Sequence, residues 1–225
     1  MRRLLSGALL LGLWLNGAAA ESPAPAGPSP AHSPDDDSSD ADKVRGLKPG
    51  ESATVGPITV TRNQKDAGHP DDRGQYRAMS VGGRFSALFP APFTDMTMTT
   101  SSPNGKSVLK IYILNSSSNG IRLDLVCFER TIPYPPDAVE TETDRLRRSS
   151  VKFERKPFSL GSLQGLDVRG VNKDGKDYAG RIFMSQGFLC HFTADFPHQD
   201  GNEIPAVVRS SFDSFQPGAA AAPAR

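Results

Sequence analysis

Residues 165–171 (GLDVRGV), 172–176 (NKDGK), 177–184 (DYAGRIFM), 185–187 (SQG) and 188–196 (FLCHFTADF) decide the fold. Three extended runs are joined by two short links rich in Asn, Asp and Gly. Links of that length and composition make antiparallel neighbours. In the last run Phe188, Cys190, Phe192, Ala194 and Phe196 recur at every second position. On a strand such residues share a face, so one side of this meander is strongly apolar and needs a covering layer. The other side carries Leu189, His191, Thr193 and Asp195.

Downstream, Ile204, Val207, Val208, Ser211, Phe212 and Phe215 recur at helical spacing. A helix over 203–215, about three turns long, is the expected cover for the Phe face. Upstream, strands are expected at 84–89, 93–100, 106–114 and 121–128, with turns at 102–105 and 116–120. Residues 151–160 read as mixed and extended. Pro133, Pro135 and Pro136 break the pattern. A helix is expected from Asp137 to about Ser149, with Asp137 as cap and Glu140 completing a capping box. Its acids lie early and Arg145, Arg147 and Arg148 lie late, which suits the helix dipole. Only Val139, Leu146 and small neighbours can face a core, so its apolar stripe is thin. The arginine cluster is either a solvated helix end or a contact for an anion or a partner.

The ends read differently. Residues 1–20 combine Arg2 and Arg3, an apolar run over 4–15 and an Ala18-x-Ala20 exit, which reads as a secretory signal peptide. The run is too short to span a bilayer, which needs about 20 residues. No later stretch is long enough, so no transmembrane segment is expected. Residues 21–42 are Pro, Ala, Ser and Asp with six acids and no Lys or Arg, and read as a disordered linker. Residues 43–74 form an extended arm with a short hairpin around Gly56-Pro57. The folded domain is expected over 75–216, and 217–225 is an Ala/Pro tail.

Removing Arg2 and Arg3 from the 26 Lys and Arg leaves 24 against 25 Asp and Glu. That near-neutral balance makes no case for nucleic acid. The mature chain is expected outside the cytoplasm, periplasmic or secreted. Its two cysteines, Cys127 and Cys190, both fall in apolar alternation. They read either as one disulfide or as two buried thiols. His191 and His198 are weak metal candidates, and solvent-facing residues explain the pattern as well; Asp195 lies four positions from His191, about 13 Å along a strand and too far to share one ion. No nucleophile elbow, phosphate loop or paired carboxylates in apolar surroundings stand out, so no catalytic residue and no cofactor is expected.

Residues 82–90 (GGRFSALFP) resemble the GGFSVxFP opening of small bacterial exported domains of the PsbP-like group. Residues 158–165 (FSLGSLQG) are similar to that group's ISLGGxPG step before a hairpin. Residues 180–184 (GRIFM) are similar to its xARIYL strand, and 211–215 (SFDSF) to its closing FLxSF. The resemblance covers about 76–216. It implies an α+β fold, an antiparallel sheet flanked by helices in a sandwich, as in photosystem-associated PsbP proteins and a Ran-binding nuclear import factor. It also implies a non-enzymatic protein that binds or stabilises a partner, here one of the cell envelope. The other readings left open are a small-molecule or metal carrier and a hydrolase whose site is assembled from residues distant in sequence.

Overall fold

The structure, a computed structural model, describes residues 36–63, 69–102, 107–198 and 203–218. The expected signal peptide at 1–20 lies outside the described residues. The chain divides into two compact units, meeting after Gly46. The described part of the first is helix α1 (Asp36–Arg45), with Lys43 paired to Asp40 and Arg45 to Asp42 along its length. It occupies the last part of the stretch expected to be linker (36–42) and the first residues of the expected arm (43–45).

The second unit, from Leu47 onward, is built on one long sheet. Its strands are β1 (Ser52–Val55), β2 (Ile58–Arg62), β5 (Phe93–Ser101), β6 (Val108–Ser118), β7 (Ile121–Arg130), β8 (Ser150–Leu160), β9 (Leu163–Asn172), β10 (Asp177–Ser185) and β11 (Phe188–Phe196). Their spatial order is β1-β2-β5-β6-β7-β11-β10-β9-β8, and every pairing is antiparallel. A second sheet has the order β12-β4-β3, from β3 (Tyr76–Met79), β4 (Phe85–Phe89) and β12 (Gln216–Pro217). Two further helices are α2 (Ala138–Arg148) and α3 (Ala206–Asp213).

Hairpin chemistry sets the register. β6 and β7 meet through Asn119 and Gly120, and β10 and β11 through Gln186 and Gly187, all four at positive φ. Two-residue turns of this hand match the twist of paired strands. The meander therefore pairs as its sequence demands, with Ser185 opposite Phe188 and Phe183 opposite Cys190.

The expected α+β sandwich is overturned. Strands take up 54% of the structure and helices 16%, so the chain is mostly β, with three short helices among the described residues. The reason lies in the Phe face. The expected covering helix is only eight residues long, starting after Pro205 and ending before Phe215. At 1.5 Å per residue it spans about 12 Å. Strands stand about 4.8 Å apart, so such a helix roofs only a few of them. The small sheet supplies the rest. Phe89 of β4 packs 5.8 Å from Phe192, and Phe212 of α3 4.9 Å from the same ring. Phe215, just past α3, stacks on Phe85 and meets Phe183 at 4.8 Å. Chain that was expected to begin the tail is also drawn in, since Pro217 pairs with Phe85.

Candidate functional site

The opposite face of the sheet is covered by α2, which lies over β8, β9 and β10. Sheet residues Val168, Tyr178, Ile182 and Leu189 are buried there, and Val139 and Leu146 of α2 pack on them. Between these two helix positions, one turn from each, stand Glu142 and Thr143. Both are buried. Thr143 satisfies itself by donating its hydroxyl to the Val139 carbonyl at 2.7 Å. Glu142 cannot do so. The Arg145 Nε–H donates to both its carboxylate oxygens, at 3.0 and 3.1 Å.

Directly beneath lies His191, read from the sequence as facing solvent but in fact 6% exposed. Its Nε2 is 3.4 Å from Glu142 Oε1, and its ring rests 5.2 Å from that of Phe128. The correction has a simple cause. β10 and β11 bury most of both of their faces, so alternation in β11 marks two covered sides rather than one wet one. The signal was present in Leu166, Val168, Ile182 and Leu189, which are apolar at the positions facing α2.

Burial dominates the electrostatics. It pushes the His191 imidazole down to about 3, with the Arg145 charge acting the same way, so the ring is neutral at physiological pH. Burial raises the Glu142 carboxyl, against the pull of Arg145. Tyr134, in the loop before α2, donates its hydroxyl to the Phe128 carbonyl and is pushed up to about 12, again mainly by burial. At the far end of α2, the Ser150 hydroxyl reaches both the Leu146 carbonyl and the Tyr178 hydroxyl. Further along this face Asp124 pairs with Arg122 and accepts from Asn115, while Asp195 is raised by burial and then by Asp124.

The remaining candidates are placed as follows. Cys127 and Cys190 sit directly opposite each other on β7 and β11, with Cα atoms 4.1 Å apart, and form a disulfide. His198 does not join His191: its Nδ1 is 2.9 Å from Asp177 Oδ1, and Asp177 belongs to the Phe-face side. No group of three His, Cys, Asp or Glu able to hold a metal occurs among the described residues. Arg145, Arg147 and Arg148 do not present one surface. Arg145 turns inward to Glu142, Arg147 pairs with Asp144, and the Arg148 Nε donates to the Asp144 carbonyl. The expected capping box is absent, because Asp137 makes no side-chain cap and Glu140 instead takes Arg155 of β8.

Beyond the roofed part of the Phe face, β8 and β9 present a ladder of charges. Glu154 stands opposite Arg169, and Lys156 opposite Asp167. Asp167 is held by Arg181, which also reaches Asp213 of α3 and lies over Phe158 and Phe212. Lys152, Glu154 and Lys156 are exposed. Two shallow hollows open here, one with room of about 130 Å³ lined by charged residues, the other of about 40 Å³ where Lys152, Glu154 and Arg169 meet Phe153, Tyr178 and Phe196. A small-molecule site usually has roughly 300–1,000 Å³. No helix of the described residues is long and apolar enough to cross a membrane. Compared with known proteins, the chain matches no family model, no curated protein and no solved structure.

Proposed function

We propose that the mature chain is a non-catalytic exported domain that binds or stabilises a protein partner of the cell envelope. The observation that carries this reading is the exposed ladder of Lys152, Glu154 and Lys156 with Arg169 beside it. It is broad, shallow and carries charges of both signs, which suits a protein surface better than a small molecule. The resemblance of 82–90, 158–165, 180–184 and 211–215 to PsbP-like domains supports the same reading.

The test is cross-linking mass spectrometry of the mature protein in native envelope with an amine-reactive reagent. A single dominant partner, linked mainly through Lys152 and Lys156, is the expected result. Absence of any partner, with the protein running as a free monomer, overturns the reading. Given a partner, the double variant Lys152→Glu, Lys156→Glu is expected to weaken the complex about tenfold or more, read as Kd, while leaving the fold intact.

A further inference from the structure

α2 is an unusual layer. The centre of its buried stripe is Glu142 and Thr143, where a helix held by apolar packing alone would place two aliphatic side chains. A carboxylate buried in such a place and paired with a partly exposed arginine is often no more stabilising than hydrophobic residues of the same volume, and can be less so. Its sheet partner, His191, is the one side chain type whose ordinary titration falls just below neutral pH. The charged and titratable groups around this ring are Glu142 and Arg145 from α2 and Tyr134 from the preceding loop, with Arg130 of β7 lying over the Tyr134 ring. Glu142 carries one negative charge and already accepts three hydrogen bonds from Arg145. A proton on His191 would put a second cation against the same carboxylate, out of reach of water, and leave the cluster with a net positive charge. The protonated ring is better accommodated with α2 lifted away.

We propose that α2 is an acid-released layer: mild acidification favours a state in which His191 is protonated and α2 has left the sheet, uncovering Val168, Ile182 and Leu189. The attachments of α2 fit this role: hydroxyl contacts at its ends, Tyr134 on the Phe128 carbonyl and Ser150 on Tyr178, and exposed ion pairs from Arg155 of β8 to Glu140 and Asp144, which hold weakly in water. The inference does not depend on the β8–β9 surface or on what binds there.

The test is hydrogen exchange of the oxidised mature chain at pH 7.5 and 5.5, corrected for the intrinsic rate. A neutral buried His with an ordinary value of 6.5 when exposed makes opening about tenfold more populated at the lower pH. Amides of α2 are expected to show that rise at an opening free energy below that of global unfolding, which is the route by which the slowest amides of β6 and β7 exchange. His191→Phe, which keeps a ring against Phe128, is expected to remove the pH dependence, and His191→Gln serves if the first variant does not fold. Equal α2 exchange at the two pH values overturns the proposal. So does a rise that persists in the variants, or α2 amides that exchange only through global unfolding, at the same opening free energy as those of β6 and β7.

Discussion

His191 and Gly170 show how much one position can control. The depressed His191 value makes a linkage statement with a definite sign. Above pH 6.5 the ring is neutral folded or unfolded and costs nothing. Below 6.5 the unfolded chain takes up a proton that the folded chain refuses until about pH 3, so stability falls with pH. The slope is at most about 1.4 kcal/mol per pH unit. Glu142, raised in the fold, acts oppositely once pH reaches its own titration. The clean window therefore runs from 6.5 down to that point, and urea unfolding of wild type against His191→Phe across it should show the slope vanish in the variant. Gly170 is a packing position. A Cβ there would lie 2.1 Å from the Lys152 carbonyl oxygen and 2.6 Å from Tyr178 Cε1. Neither backbone nor a ring held by Ser150 can retreat cheaply. Gly170→Ala should cost about 3 kcal/mol or more, read as a lowered urea midpoint.

Among the elements, β8 is one edge of the long sheet, and an eleven-residue strand with one side unpaired invites other chains. Its sequence answers that hazard three ways. A register shift between Ser150 and Lys152 leaves Val151 as an extra residue, Pro157 removes a donor, and Lys152, Glu154, Arg155 and Lys156 fill the middle with charge. Replacing Pro157 by Val and Lys156 by Val should give concentration-dependent association in light scattering, where wild type scatters as one species. Elements also show what could be read in advance. The β10–β11 hairpin was legible because its alternation and turn residues agree, and α2 was legible to within a residue because prolines and graded charge bracket it. α3 was overextended, because Ile204 and Phe215 keep the helical spacing after Pro205 and Ser214 have ended the helix. The small sheet was missed as a roof, since nothing local in 76–89 says that β4 faces Phe192 rather than joining the main sheet. His191 was misplaced for a related reason: burial by a helix from elsewhere in the chain is marked mainly on the neighbouring strands, by Leu166, Val168 and Ile182, and on β11 by Leu189 alone.

For the whole molecule, the sheet is two meanders joined at one seam. Strands β5, β6 and β7 follow one another, as do β8, β9, β10 and β11, and only the pairing of β7 with β11 joins them. That seam is where the Cys127–Cys190 bond lies, closing a separation of 63 residues in the middle of the core. Loop closure of that length stabilises by about 4 kcal/mol on the chain-entropy model. The double variant Cys127→Ala, Cys190→Ala should lose up to that amount in urea unfolding and show a steeper denaturant dependence, because its unfolded chain is less compact. The same bond also changes how the protein answers to tension. A molecule pulled by its two ends can part every other strand of the sheet, but the segment between the two sulfurs bears no load and stays looped. Its full extension should fall short of a reduced molecule's by roughly 220 Å, the reach of 63 residues, and a single-molecule force trace would read that missing length directly.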